Sequence, residues 1–156
     1  MINRVVIVAF TALLMFVCVP GKGAASDKSD VKAAIDHAVA AFNRSDMKTW
    51  VAACASPASI IDDFPPHEWQ GPTACADWAS AFAAYSKKNG ITAGTVTLGT
   101  PWHIVVTGAR AYVVCPVTFT YKQNGRPMKE SGSVFTLALM KAAAGWAIAG
   151  WAWAQH

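Results

Sequence analysis

The sequence predicts a single α+β domain in which three helices come before a strongly curved, mostly antiparallel sheet. In the first half, apolar residues recur every three or four positions, which is the spacing of amphipathic helices. From Thr92 onward, apolar residues form alternating runs that are separated by short turn sequences, as in strands. Helices followed by a meander are typical of α+β domains rather than of parallel α/β domains.

The first helix is expected to begin at Ser29, which can act as its N-cap, with Asp30 in the first turn where a negative charge suits the helix dipole. Asn43 to Ser45 are expected to end it. Its apolar residues share one face and are Val31, Ala34, Ile35, Ala38, Val39 and Phe42.

A shorter second helix is expected after Asp46, reaching about Cys54, because Pro57 prevents its continuation. Residues 58–64 form an apolar stretch that predicts a short strand. Pro65 and Pro66 then end this strand.

The third helix is expected to start at Gly71-Pro72, because proline is favoured in a first helical turn, and to end at Asn89-Gly90. Asn124-Gly125 is the strongest hairpin signal in the chain. The predicted strands of the second half are Thr95–Thr107, Ala109–Lys122, Pro127–Ala142 and Gly145–Ala154.

The N-terminus has the pattern of a signal peptide covering residues 1–25. Arg4 precedes an apolar run from Val5 to Val19, and the small residues Ala24 and Ala25 suit cleavage. The alternative is a membrane anchor, but this run is shorter than the roughly 20 residues that span a bilayer. We therefore expect a periplasmic or secreted protein, with residues 26–156 as one domain and no membrane association after cleavage.

Charge and cysteine usage exclude several classes of function. Basic residues are scattered rather than clustered, so nucleic-acid binding is not expected. No glycine-rich phosphate loop or metal-ligand spacing occurs, so we expect no cofactor and no metal. Of the three cysteines after the signal peptide, Cys54 and Cys75 are the candidate disulfide, expected on neighbouring helices, and Cys115 lies in an apolar strand.

Five short segments occur in a fixed order along the chain, and they are 42–46, 58–63, 69–71, 109–114 and 141–148. With the order of the helices and strands, they resemble the NTF2-like (SnoaL-like) superfamily, in which three helices and a bent sheet form a cone with an open end. The resemblance covers about residues 30–154. The sequence is also similar to a secreted, functionally unassigned bacterial branch that carries Ile-Ile-Asp-Asp-Phe and Trp-Ala-Trp.

The superfamily includes isomerases, dehydratases, cyclases and non-catalytic binding modules, so the resemblance alone does not give a function. Aligned with the ketosteroid isomerases, Asp62 falls on the general base. The two oxyanion donors of those enzymes fall on Ala38 and near Val134, neither of which can donate a side-chain hydrogen bond. Steroid isomerisation is therefore not expected.

Asp62 is the leading candidate site residue. In a regular strand, Asp62 and Asp63 would point to opposite faces, and the alignment favours Asp62 as the one inside the cone. It would act as a general base or as an acceptor for a ligand hydroxyl or amine, although an aspartate beside a proline can also cap a turn. His67, in a loop that could cover the cone, and His103, if it faces inward, are candidate acid/base partners.

The aromatic residues are numerous, and they fit either a ligand-lined cone or plain core packing. Trp151 and Trp153 share one face of a regular strand and would either fill the cone or cover the outer sheet face in a homodimer. The residues expected to line the cone are Trp78, Phe82, Phe119, Phe135 and Trp151.

Three functions remain open from the sequence. The first is an exported domain that holds a small apolar or aromatic molecule with Asp62 as its polar contact. The second is a proton-transfer enzyme of the cyclase, dehydratase or isomerase class that uses Asp62 with His103 or His67. The third is a structural module that forms a homodimer and binds no ligand.

Overall fold

The computed structural model describes residues 24–155. The expected signal peptide therefore lies outside the described residues, apart from its last two positions. Within the described part of the chain, no helix is long and apolar enough to cross a membrane.

The three predicted helices are present as α1 (Ala24–Asn43), α2 (Met47–Ala52) and α3 (Ala74–Asn89). The Asp46 carboxylate caps α2 by accepting a hydrogen bond from the backbone N–H of Thr49. Two starting points were predicted wrongly. α1 begins before Ser29, and α3 begins at Ala74, after Pro72 instead of at it.

Seven strands form one curved, open sheet on which the helices pack. Its order is β2-β1-β7-β6-β5-β3, and β4 also pairs with β5. All pairs are antiparallel except β1 with β7, so the expected α+β class with a mostly antiparallel sheet is confirmed. The strands are β1 (Cys54–Ile61), β2 (Glu68–Gly71), β3 (Ile91–Leu98), β4 (His103–Thr107), β5 (Arg110–Gln123), β6 (Arg126–Ala142) and β7 (Gly145–Ala154).

Two parts of the sheet differ from the prediction. The single strand expected over residues 95–107 is divided into β3 and β4, which pair with different halves of β5. The break between β3 and β4 contains Gly99 and Pro101. Proline has no backbone N–H to donate to the hydrogen-bond ladder between strands. The loop around His67 that could have covered the cone is also different from the expectation, because residues 68–71 form the strand β2. In β2, the buried Trp69 lies opposite Ile60 of β1.

Two bulges change which residues of the long strands face the helices. Between β5 and β6, the register shifts at Gly132, whose φ of +86° suits glycine. Between β6 and β7, Ala149 is the additional residue, since Leu139 lies opposite Ile148 and Ala138 lies opposite Gly150. Each bulge inverts the alternation of inward and outward side chains beyond it.

The parallel pairing of β1 with β7 fixes the position of the chain that leaves β1. The strands come so close that a Cβ on Gly150 would lie 2.4 Å from the carbonyl oxygen of Ser59.

Cys54 and Cys75, the pair suggested by the sequence, form a disulfide. Cys54 begins β1 rather than ending a helix, so the disulfide joins β1 to α3.

Candidate functional site

A cavity of about 130 Å³ lies between the helices and the sheet. Aromatic side chains make up most of its lining, to which α1, α2, α3 and four strands contribute. The five aromatic residues expected in the cone all line it, and they are Trp78, Phe82, Phe119, Phe135 and Trp151.

Trp78 is at the centre of the aromatic lining. Its ring stacks on Phe82, with centroids 5.3 Å apart and an interplanar angle of 5°. The edge-to-face contact with Trp151 has centroids 5.2 Å apart, and Trp50 lies 5.6 Å away. Such contacts hold the rings in fixed positions, so the cavity wall is preformed.

Asp62 enters the cavity because β1 ends one residue earlier, at Ile61. The chain then turns, and the backbone N–H of Asp62 donates to the carbonyl oxygen of His67 at 3.0 Å. The Asp62 carboxyl accepts two hydrogen bonds, both 2.8 Å long. Trp78 Nε1 donates to Oδ2, and the backbone N–H of Asp63 donates to Oδ1.

Burial raises the pKa of the Asp62 carboxyl to about 7, because removal from water disfavours its charged form. The hydrogen bonds from Trp78 and from the Asp63 backbone oppose this shift, and the nearby Asp63 charge adds to it. Near neutral pH, the group is therefore divided between its acid and its carboxylate forms. It can donate a hydrogen bond in one form and accept from a ligand in the other.

Two further carboxyl groups, those of Asp63 and Glu130, line the same cavity. The expectation that Asp62 and Asp63 point to opposite faces is wrong, because both follow the strand rather than lying within it. Two residues of the lining, Asp63 and Gln155, are exposed and mark the opening of the cavity to solvent. The side chain of Gln155 donates a hydrogen bond to the Asp63 carboxyl group. The side chain of Glu130 lines the cavity because the bulge at Gly132 inverts the alternation of inward and outward side chains in this part of β6.

Neither candidate histidine lies in the cavity lining. His67 is exposed in the turn between β1 and β2, with its Nδ1 3.1 Å from the backbone carbonyl oxygen of Asp62. It supports the turn that positions Asp62. His103 is exposed at the start of β4, opposite Val114, so the structure does not bring it to Asp62.

Of the two alternatives for Trp151 and Trp153, the structure shows the first, because both side chains line the cavity and do not cover the outer sheet face. Trp153 Nε1 donates to Glu130 Oε1 at 2.8 Å. Among the described residues, the exposed large apolar side chains lie elsewhere and include Trp102 and Tyr112, which are 59% and 50% exposed.

Trp50 is not among the five residues that the sequence predicts in the cone, yet it also lines the cavity. Its Nε1 is buried and has no hydrogen-bond partner within residues 24–155. A buried N–H without a partner costs about 1–3 kcal/mol. No sequence signal distinguishes Trp50 from the other tryptophans.

Residues 31–152 match the family model of the SnoaL-like domain. No curated protein matches the chain at a significant level. The family match covers all the elements that build the cavity except the first turns of α1 and the last residues of β7.

Several solved structures share the fold at low sequence identity. A proposed dehydratase of the NTF2-like family from Streptomyces avermitilis has a TM-score of 0.72 at 16% identity, covering 85% of this chain and 97% of its own. An NTF2-like superfamily protein from Salmonella enterica has a TM-score of 0.71 at 18% identity, with coverages of 85% and 93%. A ketosteroid isomerase-like protein from Erwinia carotovora has a TM-score of 0.65 at 16% identity, with coverages of 83% and 95%.

Proposed function

The chain belongs to the SnoaL-like domain family, and from this premise we propose that it is an exported protein that binds a small, largely apolar molecule in its aromatic cone. Asp62 is the polar contact that orients the ligand. The site works in the periplasm or outside the cell, without a cofactor and without nucleic acid. The homodimer, which was one of three alternatives from the sequence, is no part of this proposal, because the two tryptophans that suggested it line the cavity.

The observation that carries the proposal is a preformed aromatic cavity in whose wall the carboxyl group of Asp62 is held by a hydrogen bond from Trp78. Its volume of about 130 Å³ is close to the roughly 150 Å³ of a cavity that binds benzene. An apolar pocket with a few convergent polar groups is the usual form of a small-molecule site. The cavity therefore suits a ligand of one-ring size.

Enlarging a residue of the cavity wall should block binding and leave the fold intact. Val96 lines the cavity from β3, so Val96→Phe places a ring in the space that a ligand would occupy. We expect affinity for a neutral one-ring probe, benzyl alcohol, to fall at least roughly tenfold. Tryptophan fluorescence measures binding directly, because Trp50, Trp78 and Trp151 line the site.

Val105→Phe is the matched control, because Val105 lies on β4, is 51% exposed and is outside the cavity lining. It should bind benzyl alcohol as the wild type does. The proposal would be contradicted if the two variants bound equally well, or if the wild type bound no one-ring probe, neutral or charged.

A proton-transfer enzyme is the second candidate, and the observation that favours it is the pKa of Asp62, about 7. A general base works best when its pKa is near the working pH. Since neither His67 nor His103 reaches the cavity, any partner must come from the lining, where Glu130 and Tyr121 are available. Asp62→Asn separates the two functions, because an enzyme would lose turnover and a binding protein would keep its affinity for neutral ligands.

A further inference from the structure

The charge of the cavity is opposite to the charge of the chain. The whole sequence has 13 basic and 9 acidic residues. The cavity lining contains Asp62, Asp63 and Glu130 and no lysine, arginine or histidine. A third of the acidic residues therefore lines one largely apolar cavity, in which the partly buried carboxylates of Asp62 and Glu130 are expensive to remove from water.

Indole N–H groups hold two of these carboxyl groups in place. Trp78 Nε1 donates to Asp62 Oδ2, and Trp153 Nε1 donates to Glu130 Oε1, each at 2.8 Å. Ser133 Oγ also donates to Glu130 Oε1, at 2.6 Å, which leaves Oε2 available to a ligand. The acceptors are thus preoriented before any ligand binds.

The three groups act on one another electrostatically. The Asp63 charge contributes to the raised pKa of Asp62, and the Glu130 charge contributes to the raised pKa of Asp63, for which partial burial is the larger cause. Like charges in an apolar site destabilise each other, and a positive ligand group between them would relieve this repulsion.

We infer that the cavity selects a small organic cation, an amine whose apolar body lies among the rings and whose ammonium group faces Asp62, Asp63 and Glu130. This inference rests on the proposed binding function and adds the charge class of the ligand. Aromatic faces support the assignment, because a desolvated cation is attracted electrostatically to the face of an aromatic ring.

An organic cation fits the site better than a metal ion does. Within residues 24–155, no group of three or more histidine, cysteine, aspartate or glutamate side chains is placed to hold a metal ion. An ammonium group attached to a ring-sized body can use both the carboxylates and the aromatic wall.

Three probes that share one ring and differ in charge test this inference, and isothermal titration calorimetry measures their binding to the full domain. They are benzylamine, benzyl alcohol and benzoate. We expect benzylamine to bind at least roughly tenfold more tightly than benzyl alcohol, and benzoate to bind most weakly. Equal affinities for the amine and the alcohol, or tightest binding of benzoate, would overturn the inference and leave the proposed binding function standing. Absence of binding by all three probes would overturn both.

Glu130→Gln tests the role of the carboxylates, since glutamine can still accept from Trp153 and Ser133. Glu130→Gln should lower benzylamine affinity several-fold, and it should lower benzyl alcohol affinity by a clearly smaller factor. Glu68→Gln is the control, because Glu68 is exposed on β2 outside the cavity and its loss changes the net charge equally. Equal losses of benzylamine affinity in the two variants would show that only net charge matters, which would contradict the inference.

Discussion

Replacing Asp62 with asparagine is expected to stabilise the protein at about pH 8 and to remove most of the fall in stability between about pH 4 and pH 8. The folded-state pKa of Asp62 is about 7, compared with 3.8 in an unfolded chain. The folded protein therefore holds a proton that the unfolded chain has already released, and the free energy of unfolding falls as the pH rises through this window. The full difference between these two pKa values corresponds to about 4 kcal/mol in the free energy of unfolding.

Asparagine keeps an oxygen that accepts from Trp78 Nε1 and carries no charge that must be buried. Wild type and Asp62→Asn should have similar stability near pH 4 and should diverge as the pH rises. Urea unfolding at a series of pH values measures this divergence. Part of the slope should remain, because partial burial and the charge of Glu130 also raise the pKa of Asp63, although His67 opposes this shift.

Asp77→Asn provides the control, since Asp77 is an exposed aspartate on α3 outside the cavity. Its pH profile should keep the wild-type slope. An Asp62→Asn protein with an unchanged slope, or with lower stability than the wild type at about pH 8, would mean that the Asp62 carboxyl is not buried as described.

Trp78→Ala is expected to lower the free energy of unfolding by about 4 kcal/mol. Trp78 is 5% exposed, contacts the rings of Phe82 and Trp151, and donates to Asp62. The substitution removes the central ring of the lining and also a hydrogen bond to a buried carboxyl group. Chemical denaturation measures the loss.

Trp102→Ala removes the same side chain from a position that is 59% exposed. Its cost should stay within about 0.5 kcal/mol. Comparable losses in the two variants would contradict the assignment of Trp78 as the centre of the core. They would also imply that the surface around Trp102 is covered in solution.

The helices and the β5 to β7 meander were predictable because their signals are local. Capping by Asp46, termination at Gly90 and the Asn124-Gly125 turn each act within a few residues. β2 was missed because it has only four residues and is stabilised by pairing with β1, which no local pattern reveals.

The candidate site was predictable only in part. The aromatic lining followed from the family resemblance, as did Asp62. Asp63 was assigned to the wrong face because β1 ends at Ile61, and Glu130 was missed because the bulge at Gly132 inverts the alternation of β6. A glycine within a strand is a signal for such a bulge, but periodicity cannot give its register.

The central claim is that the aromatic cone holds a small molecule, and native mass spectrometry tests it most directly. The protein should be expressed with export to a periplasm and purified without reductant, so that the disulfide between Cys54 and Cys75 is kept. We predict an additional mass that is lost on denaturation and is absent from Val96→Phe. A wild-type protein that carries no additional mass, and that gains none when benzylamine or benzyl alcohol is supplied, would contradict the account.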